Sequence, residues 1–429
     1  MSEEEVSEWQ RLPTPLQHQF YDHARREAQR RIRELRELDR KLRRLRDVLR
    51  FKGVEEGDWR GLRVGVVDGS SPPAPDVRLG GSYALFCSSF KIFQGDELVE
   101  EGYRSGILFR GNVERFSSRM ILRLLMTRLE RRSALECLER DVDWIIVDGS
   151  FFGFRYKCRR VEEAEINWYE ADEGGEVAEY SCKGGDLIRE LFQDTARLME
   201  RGAVAIVKRV RTAAIDGFLI ERSWDEIKAS SDPISRIEEV RTGLTDKMIL
   251  SILMPRGSFF LYSDLLPHPG SFYHYSVLAR ICDELIRERI EDGESLDFDE
   301  LLASSKRRIE RREKMENFPR GLFAKYYVDM ILKIERGYLK AYEMTPSCCF
   351  ETPQNTPLEE ILPYLIYFNN RDTGHPFPLD LVDEDVRLPI YFTREFVEEV
   401  EARVVRDVEP ELAERYFQYL NPQKKWGYR

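Results

Sequence analysis

Histidine is scarce in this chain. Only five occur in 429 residues, His18, His23, His268, His274 and His375, and none has zinc-ligand spacing. The seven cysteines include no CxxC pair, and the adjacent Cys348 and Cys349 cannot easily bridge each other. A disulfide framework is therefore not expected, and a reduced, cytoplasmic setting is. No apolar run approaches the roughly 18 residues of a membrane span, and the N-terminus carries no signal-like apolar core, so neither secretion nor a membrane anchor is expected. Excess positive charge is missing too. The formal net charge is −11, so any nucleic-acid binding must use a local basic patch rather than the whole surface.

Apolar residues are plentiful at 42%, enough for a sizeable core, and charged residues reach 34%, which points to long exposed helices. From about Phe20 to Arg50, Ala28, Leu35, Leu38, Leu42, Leu45 and Leu49 follow a seam of helical spacing on an Arg-rich helix. That seam would pack on the domain, dock a partner or face DNA.

Two short apolar runs end in the same tripeptide. Val64-Gly65-Val66-Val67 leads into Asp68-Gly69-Ser70, and Trp144-Ile145-Ile146-Val147 leads into Asp148-Gly149-Ser150. Each reads as a buried strand ending in a carboxylate, then a glycine turn. After the first, residues 82–93 and 99–109 form strands joined at Gln94-Gly95-Asp96. A helix over about Ser117–Arg140 leads to the second, and Ala203–Lys208 is a further buried strand.

Later segments read as follows. Residues 162–179 form an exposed loop or hairpin, with a mobile lid as the alternative; 215–240 form a helical insertion. Residues 326–335 and 337–343 form paired strands, and one last helix spans about 394–420. The fold class is therefore α/β. A three-strand antiparallel meander plus parallel strands, flanked by helices, gives a ribonuclease-H-like mixed sheet with helical insertions and a long N-terminal helix.

That topology lays the strands ending at Asp68 and Asp148 side by side and parallel, about 4.8 Å apart. Two carboxylates that close repel unless a cation joins them. Hard oxygen donors suit Mg²⁺ or Mn²⁺ rather than zinc. A third carboxylate should come from the crossover helix. The strand climbs roughly 13 Å to Asp148, and the helix descends about 15 Å from Glu130 to its end near Arg140. Glu130 is thus level with the pair, and Glu136 and Glu139 lie too low.

In order along the chain, the residues resemble the NurA nucleases. The resemblance rests on VVDGS at Val66–Ser70, Arg128-Leu129-Glu130, IIVDGS at Ile145–Ser150, AIVKRVR at Ala205–Arg211 and TDKMILSILMPRG at Thr245–Gly257. It continues through YYVDMILKIE at Tyr326–Glu335 and HPFPLDLVDE at His375–Glu384. It implies a DNA nuclease using Mn²⁺ or Mg²⁺, with two ions held by Asp68, Glu130 and Asp148. It also implies 5′-to-3′ exonuclease activity in double-strand-break end resection, as a homodimer working with a HerA-type hexameric ATPase. A His expected after the Pro-aromatic-Pro-Leu motif reads Asp383 here, a fourth candidate ligand, and His375 is a possible substitute. Lys208, Arg209 and Arg211 are candidates for DNA phosphate contacts. The expected division is a helical arm over 1–55 and a nuclease domain over 60–429, with insertions near 161–183, 212–245 and 275–316.

Two other readings compete. One is a catalytically impaired, DNA-gripping or regulatory subunit of the same complex, which Asp383 favours. The other is a phosphotransferase of the actin/sugar-kinase class, against which neither DGS loop is glycine-rich enough to cradle a triphosphate.

Overall fold

The computed structural model describes residues 12–73, 75–111, 118–158, 161–171, 174–268, 271–292, 330, 333–389 and 391–420. A twelve-stranded mixed sheet runs through it. The strands are β1 (Lys52–Gly53), β2 (Arg63–Ser70), β3 (Asp76–Arg78), β4 (Gly81–Gln94), β5 (Glu97–Arg110) and β6 (Trp144–Asp148). They continue as β7 (Glu165–Ala171), β8 (Val177–Lys183), β9 (Ala203–Ile206), β10 (Ser258–Leu261), β11 (Ile334–Lys340) and β12 (Cys348–Pro353). Their spatial order is β1-β10-β11-β12-β9-β6-β2-β4-β5-β7-β8, with β3 beside β4.

The expected meander is β2-β4-β5, antiparallel throughout. The expected parallel strand is β6, in register with β2 from Val64↔Trp144 to Val67↔Val147. β9 adds a second parallel neighbour on the far side of β6. The Ser118–Leu138 helix makes the crossover and packs on one face of this centre. Val67 and Val147 point into that layer with Leu125 and Leu129, each fully buried Leu contributing about 1.5–3 kcal/mol. Because strand side chains alternate, Val66 and Ile146 point the other way. They join Val204, Ile206 and the Leu358–Tyr367 and Phe377–Asp385 helices in a second layer.

Several local expectations are revised. The first DGS is not a turn, because β2 stays paired to β4 through Gly69 and Ser70. The acidic 162–179 stretch is no lid: β7 and β8 pair as a hairpin and extend the sheet beyond β5. Alternating buried Ile166 and Trp168 hold it there. The late strand pair is one strand, β11, whose partners are β10 and β12. The segment from Tyr326 to Asp329 and residues 331 and 332, parts of that expectation, lie outside the described residues.

The 215–240 insertion is three short helices, Ala214–Arg222, Trp224–Ala229 and Pro233–Val240. The last helix is two, Phe392–Val404 and Pro410–Tyr416, because Pro410 suits a helix start and not a helix interior. The N-terminal helix spans Thr14–Arg46, and its buried side chains among the described residues lie near its C-terminal end. Leu42 and Leu45 are buried, whereas Leu35 higher on the seam is 60% exposed.

Candidate metal centre

Strand alternation delivers the site. Asp68, Asp148 and Lys208 each stand two residues beyond a residue of the second core layer: Val66, Ile146 and Ile206. All three therefore emerge on one face, at the ends of the adjacent parallel strands β2, β6 and β9. The Phe377–Asp385 helix covers that face through Leu379 and Val382 and brings Asp383 to it. Both ends of this helix are tied down. Near its start Asn370 donates to Asp380 at 2.6 Å, and at its end Lys91 pairs with Asp385 at 2.7 Å.

One carboxylate oxygen each from Asp68, Asp148 and Asp383 lies within 4.8 Å of the others, a group that could hold a metal ion. The Lys208 ammonium stands among them, 2.8 Å from Asp383 Oδ1, 3.5 Å from Asp148 Oδ2 and 3.6 Å from Asp68 Oδ2.

The electrostatics match this crowding. Burial and the Asp148 charge push the Asp68 carboxyl well above its ordinary range, against the pull of Lys208. Burial also raises Asp148. Burial works in the same direction on Asp383, but its hydrogen bond to Lys208 wins and holds it below the usual value. Lys208 is raised, because Asp148 and Asp68 outweigh its own desolvation. Asp148 Oδ1 is buried with no hydrogen-bond partner. A buried oxygen left unpaired beside Asp68, whose charge burial disfavours, is what a bound cation would satisfy. The donors are all hard oxygens, so the set fits Mg²⁺ or Mn²⁺.

Glu130 has the expected height but the other face. Its helix packs against Val67 and Val147, and its Cβ lies 3.5 Å from where a Cβ on Gly69 would be. Its charge still raises Asp68 across that gap, and its Oε1 accepts from Arg131 at 2.7 Å. It does not belong to the group of three. His375 does not belong either. Burial, then the charges of Lys247 and Lys208, lower it to about 4, and its Nδ1 stands 3.7 Å from Cys348 Sγ. Arg209 and Arg211 follow Lys208 on an exposed segment. Arg128 and Arg131 are buried, Arg128 against Glu170 and Glu190 and Arg131 against Glu130.

The two glycines of the twin motif do different work. Gly149 has φ +79° and turns the chain after Asp148, while Gly69 stays in a strand and gives the crossover helix room. Ser150 and Phe151 then meet a residue that sequence reasoning missed. Glu351 on β12, fully buried, accepts from Ser150 Oγ, Phe151 N and Arg336. A single Glu in an otherwise uncharged strand, Cys348–Pro353, was the available signal.

A crystal structure of the NurA nuclease from Sulfolobus solfataricus is similar over 91% of this chain and 98% of its own, with 14% identity and a TM-score of 0.50. The chain has the NurA fold. A NurA structure bound to dAMP and manganese aligns over 93% of this chain and 99% of its own, at 12% identity and a TM-score of 0.44. No protein-family model and no curated protein matches the sequence. Among the described residues no helix is long and apolar enough to cross a membrane.

Proposed function

We propose that the protein is a divalent-metal-dependent DNA nuclease of the NurA type. The observation that carries this reading is the meeting of Asp68, Asp148 and Asp383 at the ends of β2 and β6 within the NurA fold, with a buried Asp148 oxygen left over. Asp68, Asp148 and Asp383 would hold the metal, and Glu130, on the other face of β2, acts on Asp68 through its charge. The ions would be Mn²⁺ or Mg²⁺, two in number, and would supply Lewis-acid polarisation of the phosphodiester.

The remaining work belongs to the chain. Gly69 N–H donates to Asp68 Oδ1 at 2.7 Å, which fixes that carboxylate, and the turn at Gly149 fixes Asp148. Asp383, with its side chain 55% exposed, marks the solvent side from which a phosphodiester arrives. Arg209 and Arg211, exposed just after Lys208 in the chain, would contact the DNA backbone.

The wider reading is 5′-to-3′ exonuclease activity in double-strand-break end resection, by a cytoplasmic homodimer driven by a HerA-type hexameric ATPase. Its support is the resemblance along the chain together with the shared fold. A second reading, a catalytically impaired DNA-gripping subunit, is favoured by Asp383, which stands where the resemblance expects His and is paired to Lys208.

The test is degradation of end-labelled linear duplex by the full chain with Mn²⁺, alongside Asp68→Asn. Metal-dependent cleavage lost in the variant supports the nuclease. Equal, negligible cleavage by both sinks it and leaves the impaired subunit.

A further inference from the structure

Lys208 sits where the metal belongs. Its ammonium reaches three carboxylates at once, 2.8–3.6 Å away. An ammonium and a divalent ion cannot share that place: the three carboxylate oxygens lie within 4.8 Å of one another, and the ammonium already stands within 3.6 Å of each carboxylate. A divalent ion among the same oxygens would meet the ammonium at contact range, where like charges repel strongly. The side chain is 22% exposed, and the Asp383 side of the site is open, so the ammonium can leave without repacking the core. Its backbone need not follow, because Lys247 Nζ donates to the Lys208 carbonyl at 3.2 Å. Outside the carboxylates, the ammonium stays beside Lys247, which reaches the Lys208 carbonyl, and the exposed Arg209 and Arg211 follow it in the chain. An anion is the partner such a cluster favours.

We propose that Lys208 is a tethered monovalent cation that reserves the carboxylate group, is displaced when divalent metal enters, and then pairs with a DNA phosphate. This rests on the metal-centre reading given above. The displacement couples two binding events. Metal releases the ammonium for the phosphate, and the phosphate holds the ammonium away from the metal, so each ligand tightens the other by the same factor. Lys208 thereby acts as a positioning residue that ties metal loading to the presence of substrate.

The test is Mn²⁺ binding to the full-length chain by titration calorimetry, without nuclease turnover as a readout. Lys208→Met, which keeps the length of the stem and removes its charge, is expected to bind Mn²⁺ about tenfold more tightly than wild type, within the usual range of coupling. Lys208→Arg, which retains a cation, binds no more tightly than wild type. Lys247→Met controls for general field effects and changes affinity less than about twofold. A short phosphorothioate oligonucleotide tightens Mn²⁺ binding in wild type and not in Lys208→Met.

Equal or weaker Mn²⁺ binding by Lys208→Met overturns the displacement while leaving the metal centre intact. An equal gain in Lys247→Met overturns it as well. Tighter binding by Lys208→Arg also overturns it, and that variant remains informative if Lys208→Met fails to fold. Wild-type Mn²⁺ binding that Asp148→Asn leaves untouched removes the metal centre itself, and the displacement falls with it.

Discussion

The Ser150 hydroxyl donates to Glu351 Oε2 at 2.8 Å from two strands away. Register explains the reach. Glu351 pairs with Ala205 of β9, and Ala205 pairs with Val147 of β6, so only an alanine lies between the glutamate and the loop that follows Asp148. Arg336 neutralises Glu351 in the buried interior, and the Phe151 amide supplies a further donor. Glu351→Leu leaves the Arg336 charge buried and unpaired, and should lower unfolding free energy by roughly 3–5 kcal/mol. Ser150→Ala, which removes one hydrogen bond, should cost about 1 kcal/mol. Urea unfolding of both variants separates the two magnitudes; similar losses would show that the ion pair is not what matters.

Asp68 is expected to oppose stability while supporting activity. Burial and the Asp148 charge disfavour its ionised form, so Asp68→Asn removes a destabilising charge, and Lys208 keeps two carboxylate partners. In EDTA the melting temperature of this variant should equal or exceed that of wild type. Mn²⁺-dependent cleavage should fall at least about 100-fold, the scale of losing one preorganised electrostatic group. A variant that loses both stability and activity would argue that Asp68 is structural.

The twin glycines should respond differently to alanine. At Gly149, where φ is +79° and nothing lies within 4 Å of an added Cβ, the loss is backbone strain of about 1–2 kcal/mol. At Gly69 the backbone is ordinary strand, and an added Cβ meets Cys87 O at 3.3 Å, Met126 at 3.4 Å and Glu130 at 3.5 Å. Small shifts of the crossover helix can relieve those contacts, so Gly69→Ala should cost less than Gly149→Ala. Comparative denaturant melts decide the order.

Stability should depend on pH through Asp246. Burial raises this carboxyl to about 6 from 3.8, even though it accepts hydrogen bonds from Tyr262, Ile215 N and Ala214 N. The folded state therefore binds the proton more tightly than the unfolded chain. Its contribution is most favourable below about pH 4, declines as pH rises towards 6, and is constant above. A carboxyl titrating near 6 rather than 3.8 accounts for roughly 3 kcal/mol across that window. Asp246→Asn should remove this component from the unfolding free energy measured between pH 4 and 7. An unchanged slope would place the titrating group elsewhere.

The order of elements was legible because apolar strands and their breaks leave strong local marks. The meander, the crossover helix and the parallel β6 all follow from runs such as Val64–Val67 and Trp144–Val147. β7 and β8 were harder to read, since an acidic, glycine-containing stretch looks like a loop until a sheet edge is available to pair with it. The burial of Arg128 and Arg131 was equally hidden, because the acids that neutralise Arg128, Glu170 and Glu190, lie far along the chain.

By itself the sequence determined that Asp68 and Asp148 lie towards the C-terminal ends of neighbouring parallel strands, since strand order and the crossover leave them nowhere else to go. It also determined the height of Glu130, because rise per residue depends on length alone. Which face each side chain takes was decided only by tertiary structure. The crossover helix packs on Val67 and Val147, so alternation turns Asp68 and Asp148 away from Glu130 and towards the helix that carries Asp383. The place of Lys208 was decided in the same way. Its strand joins the sheet beside β6, and three carboxylates converging from separate segments leave its ammonium a site that no local pattern describes.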